Sequence, residues 1–100
     1  MSKVTMELLK ECAPIFSMLQ DEQRQKILMM LFDNGEMGVT LITEKSAISR
    51  PAVSHHLKLL LDAGLIDVRQ EGRERIYKIN LQNSLKHLKN LVSSIENDMK

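Results

Sequence analysis

Between Lys45 and Leu61 the chain carries three cations, Lys45, Arg50 and Lys58, beside the adjacent His55 and His56, and no acid at all. Ser54 stands among them. A serine next to a histidine invites comparison with nucleophilic catalysis. Consecutive residues point in different directions, however, no carboxylate lies nearby to orient the imidazole, and the chain has no glycine-rich phosphate loop. These side chains are better suited to an anionic polymer, whose phosphates attract cations and whose base edges accept a forked guanidinium. A solvated surface face has the same composition, so the run alone leaves both readings open.

The remaining charge sharpens the contrast. The 100 residues hold 14 Lys+Arg and 13 Asp+Glu, a net charge of +1. Residues 1–44 carry four cations against seven acids, whereas residues 45–80 carry seven cations against four acids. Three arginines of the second segment, Arg69, Arg73 and Arg75, crowd around Gly72.

Such groups need a scaffold to hold them on one side. The length allows one domain, spanning 1–100. At 43% apolar residues the chain is too rich for a disordered segment, and its apolar runs fall far short of the ~20 residues that span a bilayer. Leu, Ile, Val and Met dominate over aromatics, which favours helix-on-helix packing. We therefore expect a mainly helical globular protein without a membrane partner. The first residues lack the apolar core of a secretory signal, and the single Cys12 can form no internal disulfide, so the expected location is the cytoplasm.

A first helix is expected over about 4–19, with Leu8, Cys12, Ile15, Phe16 and Leu19 at three- and four-residue spacing and Pro14 kinking or restarting it. Asp21 reads as the N-cap of a second helix that buries Ile27, Leu28, Met30 and Leu31 and stops at Asn34-Gly35. A short third helix from about Thr40 to Lys45 contributes Leu41 and Ile42. Ser49 then caps a fourth, because Pro51 is tolerated only in a first turn. Val53, Leu57, Leu60 and Leu61 form its core face, Gly64 its stop, and Arg50, Ser54 and Lys58 the opposite face with His55 beside them. His56 falls toward the core, as a structural histidine.

Ile66 to Ile79 reads as a hairpin turning around Gly72. Arg69 and Lys78 have two readings there, as phosphate contacts or as partners of Glu71 and Glu74. Over about 81–99, Leu81, Leu85, Leu88, Val92, Ile95 and Met99 follow a heptad spacing. That 3.5-residue repeat implies helix pairing, most simply with its copy in a second chain, the alternative being a terminal helix packed on its own domain. A 100-residue domain is marginal alone, and a dimer would help it.

The order α-α-α-α-β-β-α, with a helix-turn-helix over about 40–64 and a wing over about 66–79, is that of a winged helix-turn-helix. Through Ser49-Arg50-Pro51-Ala52-Val53-Ser54-His55-His56-Leu57-Lys58, then Ala63-Gly64-Leu65-Ile66 and Glu71-Gly72-Arg73, the chain resembles the ArsR/SmtB family of transcriptional repressors, over about Phe16 to Asn80. It departs from the usual pattern in having Asp21-Glu22-Gln23-Arg24 for Asp-Pro-Thr-Arg and Ala47 for a turn glycine. The resemblance implies a homodimer that binds double-stranded DNA at a palindromic operator and is released by an effector, often a metal. It implies base contacts from Arg50, Pro51, Ser54 and His55, and phosphate contacts from Lys45, Ser49, Lys58, Arg69, Arg73 and Arg75. The dimer interface is expected at Leu8, Cys12, Leu81, Leu85, Leu88, Val92, Ile95 and Met99.

No cofactor is expected. The family's metal sensors use cysteines on the third helix or His, Asp and Glu ligands on the last, where this chain has Leu41-Ile42-Thr43 and Leu81, Asn83, Ser94 and Asn97. His87 and Glu96 remain on the last helix, about two and a half turns apart and unable to chelate together. The runner-up function is a winged-helix module for protein contact that binds no operator.

Overall fold

Ser2, Asp21 and Ser49 start helices in the same way. In a computed structural model, which describes all 100 residues, each side chain accepts the backbone N–H three residues on: Thr5 at 3.2 Å, Arg24 at 3.0 Å and Ala52 at 3.3 Å. The helices they open are α1 (Lys3–Leu19), α2 (Glu22–Asn34) and α4 (Arg50–Asp62). Gly35 and Gly64, both at φ 77°, supply the positive-φ turns after α2 and α4. No non-glycine residue has positive φ, so Ala47 fits its turn without strain. Pro14, expected to kink or restart the first helix, leaves α1 unbroken, with its ring exposed to solvent.

Between α2 and α4 lie the strand β1 (Met37–Gly38) and the short helix α3 (Val39–Glu44). The wing follows, as β2 (Ile66–Glu71) and β3 (Glu74–Ile79), with α5 (Gln82–Asp98) last. The three strands are antiparallel in the order β1-β3-β2. The hairpin turns at Gly72, φ 60°, and Arg73. Register pairs Val68 with Tyr77 and Gln70 with Arg75 on one face, and Asp67 with Lys78 and Arg69 with Ile76 on the other.

Twelve buried residues form the core, chiefly Ile27 and Leu31 of α2, Ile42 of α3, Val53, Leu57 and Leu60 of α4, and Met37, Leu65, Ile66 and Tyr77 around the sheet. Against expectation, Leu41 faces solvent and Val39 takes its place; Phe16 and Leu19 are exposed as well, while Leu61 is half-buried.

The last helix pairs along its length with α1 of its own chain. The two run antiparallel, Thr5 meeting Ser94 and Asp98 while Glu11 meets His87. Buried between them are Thr5, Cys12, Ser84 and Leu91, which lie outside the main core. The heptad seam is rotated from this contact: Leu88 and Ile95 are half-buried, whereas Leu85, Val92 and Met99 remain 49%, 53% and 80% exposed. Cys12, expected both on the buried side of the first helix and at a dimer interface, is closed off inside its own chain, and burial pushes its thiol pKa up. The helix pair lengthens the molecule to 51 × 23 × 20 Å, with a radius of gyration of 15.7 Å, where about 13 Å is usual for this length.

Candidate nucleic-acid interface

The fixed start of α4 decides where its polar side chains go. Val53, Leu57 and Leu60 turn to the core, so Arg50, Ser54 and Lys58 turn out, one turn apart. The near face of the wing meets them, because Gln70 and Arg75 share the pleat face of Tyr77, whose ring is buried against the core. The result is a cleft of about 760 Å³ lined by Arg50, Ser54 and Lys58 from α4 and by Gln70, Arg73 and Arg75 from the wing. Four cations face into it. Its one acid, Asp62, stands 3.5 Å from Lys58 on the same helix, a solvent-exposed pair that binds weakly.

Four of the ten residues expected at nucleic acid therefore come from α4 and the wing to one cleft as cations: Arg50, Lys58, Arg73 and Arg75. Ser54 joins them as a hydroxyl. Pro51 and His55 are exposed on the first turns of α4 outside this lining, the His55 ring 5.9 Å from that of His56. Ser49 accepts the Ala52 N–H as helix cap, which leaves its hydroxyl proton to donate. Lys45 is exposed but lies toward α2, near Glu22, Lys26 and Asp33.

Arg69 is the exception among the wing arginines. It occupies the far face of β2, where Nη2 binds Glu36 at 2.7 Å and Nη1 binds Glu71 at 2.8 Å. The hydrogen bond to Glu36, then that to Glu71, pushes the guanidinium pKa still higher, and Arg69 holds the Glu36 carboxyl below its ordinary value. Two acids thus neutralise it away from the cleft, which corrects its expected place among the phosphate contacts. Lys78, on the same far face, has no carboxylate within ion-pair distance.

Behind the cleft, Arg24 ties three elements together. Its Nε donates to the Met18 carbonyl at 3.1 Å, and its Nη1 lies 3.4 Å from Nδ1 of His56. His56 is thus half-buried against α2, in the structural place expected for it. On α5, His87 faces Glu11 at 3.1 Å, and Ser94 hydrogen-bonds Thr5.

Three residues in and around the site escaped sequence reasoning, the first being Gln70, which lines the cleft from β2. Thr40 accepts a hydrogen bond from Arg50 Nη1 at 3.2 Å, and Glu74 accepts the Thr40 N–H at 3.0 Å, which holds the Glu74 carboxyl below its ordinary value. Both contacts join residues distant in sequence, and no local pattern announces them.

Comparison with known proteins agrees with this geometry. The sequence model of a family described as "Bacterial regulatory protein, arsR family" matches residues 21–68. The chain is 38% identical over 74 residues to an uncharacterised helix-turn-helix-type transcriptional regulator of Methanocaldococcus jannaschii, covering 74% of this chain and 83% of the other. It is 34% identical over 88 residues to the transcriptional repressor SdpR of Bacillus subtilis, covering 85% and 97%. Among solved structures, it is similar to NolR of Sinorhizobium fredii, with a TM-score of 0.74 at 26% identity over 93% of this chain and 92% of that one. It is also similar to a homodimeric winged helix-turn-helix DNA-binding domain of Mycobacterium bovis solved in solution, with a TM-score of 0.72 at 26% identity over 98% and 89%.

Proposed function

Because the chain belongs to the ArsR family of bacterial regulatory proteins, we propose that it is a homodimeric transcriptional repressor that binds a palindromic operator with α4 and the wing. One observation carries this reading: α4 and the hairpin, held together by the core, present Arg50, Ser54, Lys58, Gln70, Arg73 and Arg75 to a single cleft. A recognition helix enters the major groove with its N-terminal residues nearest the bases. Arg50, Pro51, Ser54 and His55 then face base edges, with Arg50 able to take guanine through both ends of its fork. Lys58, Arg73 and Arg75, with Lys45 and the Ser49 hydroxyl at the margins, neutralise or bind phosphates and set register without reading sequence. Arg69 is left out of this set, since Glu36 and Glu71 already occupy it.

The dimer joins through the outward part of the α5 seam, Leu85, Val92 and Met99, with Leu8, Leu81, Leu88 and Ile95 at its margins. Such a joint repeats the DNA face about a two-fold axis, as a palindrome requires. The relatives named above are regulators, and the reading asks for no catalytic step. No helix is long and apolar enough to cross a membrane; a repressor of this kind works with the chromosome in the cytoplasm.

The family's familiar metal donor sets do not fit this chain. Leu41, Ile42 and Thr43 offer no thiol on α3, and on α5 Ser94 is already bonded to Thr5. We therefore propose release by a signal other than a metal at those positions. Selection of duplexes from a randomised pool, followed by footprinting, tests the whole reading. An inverted repeat with half-sites about one helical turn apart is expected. A pool that never converges would refute it.

A further inference from the structure

Glu74 opens β3, yet its carboxylate leaves the wing for α3. That helix starts at Gly38, which has no side chain to cap it. Oε1 of Glu74, 34 positions from Thr40 in sequence, accepts the Thr40 N–H at 3.0 Å. Gly38 makes room for it. A Cβ at Gly38 would stand 2.6 Å from both Cδ and Oε1 of Glu74, while its φ of −77° suits any residue. Space for this carboxylate is therefore what the glycine provides. The Thr40 hydroxyl accepts in turn from Arg50 Nη1 at 3.2 Å. The chain of contacts runs Glu74, Thr40, Arg50, from the tip of the wing through α3 to the first residue of α4.

An acid beside a cleft meant for phosphates weakens general attraction to DNA, so its contribution lies elsewhere. We propose that Glu74 is a positioning residue for sequence reading: it holds Thr40, and through Thr40 it orients the Arg50 guanidinium toward the base edges. This rests on the reading that Arg50 meets bases. An Arg left free must lose rotamer freedom each time it docks, whereas one already held loses less and discriminates better.

The test compares affinity for a duplex selected from a random pool by the wild-type protein with affinity for a scrambled duplex of equal composition. Glu74→Ala and Gly38→Ala should each lower that ratio at least about fivefold, part of what a bidentate Arg–guanine pair supplies. Affinity for the scrambled duplex should hold or rise. Thr40→Val keeps the N–H that Glu74 caps and removes only the link to Arg50, so it should reproduce the loss with an unchanged melting temperature. Adding Arg50→Ala to Glu74→Ala should lower the ratio less than the product of the two single effects. An undiminished ratio in both Thr40→Val and Glu74→Ala, with Arg50→Ala lowering it, overturns the inference and leaves the DNA reading standing. A ratio raised by Glu74→Ala also overturns it, showing that Glu74 draws Arg50 away from the bases. If Arg50→Ala leaves the ratio intact, the underlying reading falls and the inference with it.

Discussion

Val92→Glu separates the two faces of α5. Val92 is 53% exposed and Leu85 49% exposed in the single chain, while Leu91, one position away, is only 5% exposed against α1. Burying a Val or Leu side chain completely contributes about 1.5–3 kcal/mol, so closing the open half of Val92 contributes about 1 kcal/mol per copy. A two-fold joint uses the residue twice, giving about 2 kcal/mol per dimer, or roughly 30-fold in the dissociation constant. Two carboxylates brought together near the axis add repulsion to that loss. Sedimentation equilibrium should therefore show Val92→Glu dissociating at least about 30-fold more readily, with the helical circular dichroism and melting of an equally monomeric sample unchanged. Leu91→Ala should do the reverse, weakening the fold by about 2–5 kcal/mol because it empties the space between α1 and α5. A Val92→Glu protein that dimerises like the wild type would show that the exposed half of the seam is not the joint.

Leu57→Ala, at a fully buried position where α4 meets the core, should lower unfolding stability in urea by about 2–5 kcal/mol. Salt titrations on any duplex should separate the wing arginines: Arg73→Ala should reduce the slope of log affinity against log salt by about one per bound protomer, while Arg69→Ala, whose charge Glu36 and Glu71 already neutralise, should leave it nearly unchanged. Asp98 is held below its ordinary 3.8 by the Ser2 N–H and then by the Thr5 hydroxyl. Because its folded pKa lies below its unfolded one, its contribution is complete above 3.8 and lost as pH falls from there through the lowered value. Asp98→Asn should accordingly lower the melting temperature near neutral pH and flatten its fall in acid, and parallel wild-type and variant curves would refute this.

Asp21 and Ser49 were legible as helix starts because a cap is a local device, one side chain meeting a backbone N–H three residues on. Pro51 confined α4 further, and its register then placed Arg50, Ser54 and Lys58 opposite Val53 and Leu57. The period-two alternation of the hairpin was equally local, yet it puts Arg69 on the face opposite Arg75, which clustering around Gly72 concealed. β1 was not legible, since two residues carry no period and Met37 pairs with Tyr77 only once the wing has folded. Glu74 and Thr40 were hidden for the same reason, as their contact depends on tertiary approach. The 3.5-residue repeat after Leu81 correctly announced a paired helix. It did not say which face met which partner, because Ser84 and Leu91, the residues that meet α1, fall between the seam positions. The same ambiguity extends to Cys12, which is buried between α1 and α5 of its own chain.

The reading of sequence by α4 is tested most directly by titrating wild type and Arg50→Ala against the selected and the scrambled duplex at one salt concentration. The wild type should prefer the selected duplex strongly. Arg50→Ala should lose about 1–3 kcal/mol on the selected duplex, and on the scrambled one no more than the small effect of a single charge. Equal losses on both duplexes would reduce Arg50 to a phosphate contact and contradict base reading from the start of α4.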